Sequence, residues 1–196
     1  MNLSNYFWYF TNVIPHRICD DIINYAKYKK ETLGRTGGAG STKELTKKEL
    51  DDLKKIRNSN VVWMNDAWIY KEIHPFVNLA NRNAGWNFDW DYSEDCQFTI
   101  YRKNHQDADH KPYKNGKIRK LSVTVSLSDP KKYKGGELEF DFKNRKPSRD
   151  RPYSCAEILP KGSLVVFPSF VWHRVKPVSE GERFSLVIWR CGNPLR

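Results

Sequence analysis

The sequence predicts an α+β fold, an antiparallel sandwich or barrel with helices packed on one of its sheets. Apolar residues recur at helical spacing up to about Trp86 and at every second position beyond it. From there the chain breaks into short apolar stretches separated by Gly, Pro, Asn and Asp turns. The last of these, Gly162 to Trp189, reads GSLVVFPSFVWHRVKPVSEGERFSLVIW and carries one histidine and one arginine inside strand-like runs.

The elements follow in order. Tyr6 to Phe10 is an aromatic, strand-like run. Pro15 suits the first turn of a helix, and Ile14, Ile18, Ile22 and Tyr25 continue at helical spacing to about residue 31. GRTGGAG, 34–40, reads as a connector; no Gly-Lys-Ser/Thr follows it, so it is not a phosphate loop. Ser41 with Glu44 fits a capping box for a charged helix through about Ile56. Val61 to Trp63 suggests a short strand. Asp66 should cap a helix carrying Ile73, Phe76, Val77 and Ala80 to near Gly85, with a kink or restart at Pro75. The aromatics from Trp86 to Trp90 suit core packing.

Beyond Trp86 the alternation is regular. Cys96, Phe98 and Ile100 alternate with Gln97, Thr99 and Tyr101, and Leu121, Val123, Val125 and Leu127 with Ser122, Thr124 and Ser126. Leu138, Phe140 and Phe142 alternate with acidic residues. Leu164 to Phe167 is wholly apolar, Phe170 to Val175 follows, and Arg183 to Trp189 closes the pattern. The 196 residues suit a single domain, with 1–92 a helix-rich buttress and 93–196 the β-rich core.

Composition narrows the class. The chain is 14% aromatic and 29% charged, as a globular protein is, and it has no apolar window long enough to span a bilayer. Its first residues lack the basic start and small-residue cleavage site of a signal peptide, so a cytoplasmic protein is expected. Cys19, Cys96, Cys155 and Cys191 form no CxxC pair and should be free thiols. The net charge of +11 comes from lysines dispersed over helix faces and loops, without a nucleic-acid-binding pattern. Nucleic acid is therefore not the expected partner, nor is a membrane.

The chemistry lies in a few residues. After the strand ending near Tyr101 come His105 and Asp107, an His-x-Asp pair, and His173 stands on a later strand. Two imidazoles and a carboxylate make the facial triad of non-haem iron(II) sites, which leaves positions open for O2 and a co-substrate. Arg183 opens the strand after His173, and its planar fork suits a bidentate grip on a carboxylate.

These residues carry a resemblance. WMNDAWIYKEIHPFVNLANRNAGW, QFTIY, GKIRKLSVTVSLSDPKKYKGGELEF and ILPKGSLVVFPSFVWHRVKPVSEGERFSLVIW are similar to segments of the iron(II)/2-oxoglutarate-dependent dioxygenases of the prolyl 4-hydroxylase type, especially a phage and bacterial branch. The likeness runs from about Trp63 to Gly192. It implies a double-stranded β-helix (jelly roll) with the N-terminal helices on one sheet. It also implies His105, Asp107 and His173 as Fe(II) ligands, Arg183 on the far carboxylate of 2-oxoglutarate, and Tyr101 touching that co-substrate. The reaction implied consumes O2 and hydroxylates a prolyl or other residue of a peptide or protein, or a small molecule, with ascorbate as an accessory reductant.

One difference from the family pattern concerns the first ligand. Only Arg102, Lys103 and Asn104 separate Tyr101 from His105, a reach of at most about 10 Å, where relatives place a longer hairpin. Asp109 and His110 are then alternative ligands. A jelly roll that has kept Arg183, lost iron and become a binding module is the alternative function.

Overall fold

The computed structural model describes residues 5–33, 46, 57–105, 116–142 and 153–194, with the backbone alone for 57, 58 and 103–105. The expected connector at 34–40, the capping box of Ser41 and Glu44 and the helix through Ile56 lie outside the described residues. Strand β1 (Trp8–Phe10) leads into helix α1 (His16–Lys27) and strand β2 (Thr32–Leu33). Then come β3 (Arg57–Met64), α2 (Ala67–Asn83), β4 (Tyr92–Ser93), β5 (Cys96–His105) and β6 (Ile118–Ser126). The chain continues with β7 (Tyr133–Gly135), β8 (Leu138–Asp141) and β9 (Tyr153–Ser154). It closes with β10 (Leu164–Pro168), β11 (Trp172–Val175), β12 (Val178–Gly181) and β13 (Arg183–Gly192).

The helices form where the 3.6-residue pattern lies, with their ends set by neighbours. α1 buries Ile18, Cys19, Ile22, Ile23 and Ala26. It stops at Lys27, four residues short of expectation, because the chain must extend for Thr32 to pair with Val61. Pro15 sits at the N-cap with ψ 136°, just outside the first turn. α2 runs through Pro75 without a restart. Proline removes one helical hydrogen bond, and both Pro75 and Lys71, whose carbonyl loses its donor, lie on the exposed stripe where water can replace it. Asp66 holds the N-cap position without capping. Its carboxylate accepts from Tyr25 Oη at 2.6 Å and from Lys29 Nζ at 3.4 Å, tying α2 to α1, and those donors hold its pKa below the usual range.

Eight strands form one antiparallel sheet in the order β1-β10-β6-β13-β5-β3-β2, with β4 also paired to β13. Two smaller sheets, β11-β8-β9 and β12-β7, face it. One apolar cluster joins α1 and α2 to the outer face of the large sheet through Val62, Phe98, Val123, Val125, Leu186 and Ile188. A second joins the inner face to the small sheets through Tyr101, Val165, Phe167, Leu138, Phe140, Val175 and Val178. Complete burial of each large aliphatic or aromatic side chain stabilises by roughly 1.5–3 kcal/mol, so two such layers anchor the sheet from both sides. Trp86 lies in the first cluster, as expected, and donates its Nε1–H to the Asn5 carbonyl at 2.6 Å.

The two-sided cover changes the meaning of the alternation. β6 buries Lys120 through Ser126 without a break. Its polar positions do not face solvent, as a half-buried strand would have them. Ser122, Thr124 and Ser126 lie on the inner face with Gln97, Thr99 and Ser185, and all are buried. The alternating polar residues line an interior. The four cysteines are buried free thiols. Burial pushes Cys19 up to about 11 and the other three up to about 12, so they behave as small hydrophobes.

Candidate functional site

Arg183 is the first residue of β13, opposite Tyr101 of β5. Alternation along β13 sends Phe184, Leu186 and Ile188 towards the helices, so Arg183 and Ser185 point inward. Arg183 is only 2% exposed. Its guanidinium carbon lies 5.1 Å from the Tyr101 ring centre, and Nη1 has no hydrogen-bond partner among the described residues. The acids beside it are engaged elsewhere: Glu180 with Lys134 at 2.8 Å and Glu182 with Arg102 at 2.8 Å. An ordinary ion pair at the turn therefore does not account for Arg183. A buried guanidinium lacking an anion is costly, and a carboxylate relieves that cost.

Gly136, in the segment GGELEF, makes room for this side chain. A Cβ on Gly136 would stand 2.7 Å from Arg183 Cδ and 3.0 Å from Val178 Cγ2, and its φ of +72° disfavours any other residue. The role of Gly136 could not be read from the sequence, because Arg183 reaches it only through the pairing of distant strands.

His173 lies on β11 opposite Phe140, half-buried, with its ring edge-on to Phe167 at 4.7 Å between centres. Its Nδ1 is 2.8 Å from the Val171 carbonyl oxygen. A carbonyl oxygen can only accept, so Nδ1 carries a proton, and in the neutral ring this leaves the lone pair on Nε2, as a metal-ligating imidazole requires. Arg174 turns the other way and donates to Glu139 at 2.7 Å.

Tyr101 and Phe167 belong to one apolar cluster, so the Arg183 and His173 walls face a common interior. Ser185 Oγ is buried there with no partner among the described residues. The expected strand end near Tyr101 is corrected: β5 continues to His105, because β3 pairs along it as far as Arg57, with a register shift between Arg57 and Ser59. Of His105 the backbone alone is described, while Asp107, Asp109 and His110 lie outside the described residues. Among the described residues no three His, Cys, Asp or Glu side chains gather at one point.

A large antiparallel sheet and two small ones, closed over an interior that holds a buried arginine and a half-buried histidine, define a jelly roll. Residues 96–191 match the family model of the 2OG-Fe(II) oxygenase superfamily. The family implies Fe(II) and 2-oxoglutarate.

Among curated relatives, a PKHD-type hydroxylase of Hyphomonas neptunium is 45% identical over 71 residues, 35% of this chain and 27% of that protein. One from Teredinibacter turnerae is 37% identical over 79 residues, 40% of this chain and 31% of that protein. The matched stretch thus spans about a quarter to a third of these relatives' length. Among solved structures, the viral collagen prolyl hydroxylase of Paramecium bursaria Chlorella virus-1 has TM-score 0.63 at 19% identity, covering 96% of this chain and 97% of that one. A Pseudomonas putida prolyl-4-hydroxylase has TM-score 0.65 at 17% identity, covering 96% and 93%. A Trichoplax adhaerens prolyl hydroxylase in complex with a hypoxia inducible factor oxygen degradation domain peptide fragment has TM-score 0.65 at 15% identity, covering 96% and 84%. The jelly-roll fold expected from the sequence is the fold shared with these structures.

Proposed function

We propose that this protein is an Fe(II)- and 2-oxoglutarate-dependent hydroxylase acting on a prolyl or other residue of a peptide or protein. The observation that carries the reading is Arg183, nearly fully buried, aimed into the interior and without a carboxylate among the described residues. In this reading Arg183 grips the far carboxylate of 2-oxoglutarate, Tyr101 flanks it, and Gly136 holds the channel open. His173 ligates through Nε2, with its tautomer fixed by the Val171 carbonyl. His105 and Asp107 complete the iron ligands. When bound, iron and 2-oxoglutarate supply the oxidising chemistry that hydroxylates an unactivated C–H bond. The chain's own part is to orient the co-substrate, exclude water and fix the histidine proton.

A peptide substrate is supported by the peptide-bound Trichoplax neighbour. It is also supported by Trp63 and Trp189, side by side on the inner face with ring centres 6.2 Å apart and Trp63 partly exposed. Such a pair offers a shelf for a prolyl ring. Ascorbate is the accessory reductant in this reading. The helix-rich part, 1–92, and the core, 93–196, work as one domain, and the protein is placed in the cytoplasm. No helix among the described residues is long and apolar enough to cross a membrane.

The test is calorimetric titration of 2-oxoglutarate, with Mn(II) in place of iron, into wild type, Arg183→Lys and Arg183→Ala. Affinity should fall in that order, with the alanine weaker by at least about thirtyfold, since removing a buried charged partner costs about 2–5 kcal/mol. Equal affinities would end the proposal. Anaerobic Fe(II) titration tests the metal. If 2-oxoglutarate still binds but no visible charge-transfer band develops, the iron-free binding module takes its place.

A further inference from the structure

Of the described arginine side chains that stand on strands, all but two are paired with acids. Arg102 is held by Glu31 and Glu182, Arg119 by both oxygens of Glu94 at 2.6 Å, and Arg174 by Glu139. The exceptions are the two most buried, Arg183 at 2% and Arg190 at 7% exposure, both on β13. Each lies near an aromatic ring instead, Arg183 at Tyr101 and Arg190 at 5.0 Å from the centre of Trp90. Nε of Arg190, like Nη1 of Arg183, is buried without a hydrogen-bond partner among the described residues.

The two do not serve one site. Seven positions apart on a strand means opposite faces and about 23 Å of separation. Arg190 faces α2 on the outer side of the sheet, where Tyr70 and His74 occupy adjacent turns with ring centres 5.1 Å apart. His74 Nε2 is likewise buried and has no partner among the described residues. Two buried nitrogens without partners among the described residues thus lie on one face of the sheet, one of them on the arginine beside the Trp90 ring.

We propose that Arg190, His74 and Trp90 form a second ligand site, for the carboxylate group of a small free acid, between β13 and α2 on the outer face of the large sheet. The charge balance selects a carboxylate. Arg190 brings one fixed positive charge, and Tyr70, His74 and Trp90 add none. Burial, reinforced by the charge of Arg190, holds the His74 pKa down to about 4, so the imidazole is a neutral N–H donor at physiological pH. One cation and one neutral donor match a monoanion and leave the second charge of a phosphate unmatched. The depth of the guanidinium calls for a thin ligand such as a flat carboxyl group, and Trp90 and His74 beside it are themselves only partly buried. The site is independent of the iron and 2-oxoglutarate reading, because Arg183 opens to the other face.

The experiment is NMR of the Arg190 Nε–Hε and His74 ring signals in the wild-type chain, titrated with acetate, inorganic phosphate and chloride at matched ionic strength. Saturable shifts of both residues with acetate are expected, with phosphate at least about tenfold weaker and chloride inert. The His74 response should weaken at least about tenfold in Arg190→Lys. Shifts equal for acetate and chloride, phosphate binding as tightly as acetate, or an undiminished His74 response in Arg190→Lys would each overturn the proposal. A capped glutamate peptide serves as a further arm. Its binding ten times tighter than acetate would replace the free acid with a partner's side chain and so overturn that assignment. The acetate, phosphate and chloride arms are run on wild-type protein, so those outcomes do not depend on a variant folding.

Discussion

The two ends of β13 set two solutions to one problem side by side. At its far end Arg119, reaching from β6, lies partly buried against the buried Glu94 with both hydrogen bonds made, its guanidinium 3.9 Å from the Trp189 ring centre. Arg183 at the start of the strand and Arg190 near its end keep the aromatic neighbour and lack the acid. A buried ion pair adds little net stability, yet breaking one leaves an uncompensated charge, whereas an unpaired buried arginine already bears that cost in the ligand-free protein. Pairing is structural here, and its lack among the described residues is the observation on which both proposed ligand sites rest.

That contrast can be broken by mutation. The largest effect should come from Arg119→Leu, which strands the Glu94 carboxylate, itself only 5% exposed, and should lower unfolding stability by about 3 kcal/mol in urea titrations. Gly136→Ala comes next. It forces a Cβ into Arg183 Cδ at positive φ, and should cost roughly 1–3 kcal/mol and weaken 2-oxoglutarate binding together. A variant that loses stability while keeping full co-substrate affinity would detach Gly136 from the arginine. Arg190→Met should do the reverse of Arg119→Leu, leaving the ligand-free protein unchanged or more stable by up to about 1 kcal/mol. A large loss would show that Arg190 has an internal partner.

His74 sharpens the same comparison through pH. Its folded pKa, about 4, lies below the unfolded value near 6.5. The folded state therefore disfavours the proton. His74 contributes stability that is complete above about 6.5 and is lost as pH falls towards 4. The lowered carboxylates of Glu31, Asp66 and Glu157 act further down, from the ordinary carboxylate range downwards. His74→Gln should flatten the upper part of the acid limb alone. The smallest effect belongs to Arg17→Ala, whose pair with Asp21 is exposed and one helical turn away. Less than about 0.5 kcal/mol is expected in thermal melts.

Much of this was written locally. Both described helices, the strand alternation, His173 inside its strand, Arg183 at the opening of the next and the family segments are patterns among residues two to four apart, where propensity and periodicity act. The sequence therefore determined the fold class, Arg183 as a candidate and the resemblance to the oxygenase family. Tertiary structure decided what lies across a strand. It buried the polar face of β6, carried β5 past Tyr101 to His105, gave Glu180 and Glu182 to other partners, and set Gly136 beneath Arg183. It also left Arg190 facing α2 with no ion-pair partner among the described residues. A side chain's surroundings are made by strands and helices far apart in the chain, and no local pattern records which charges those neighbours leave uncompensated.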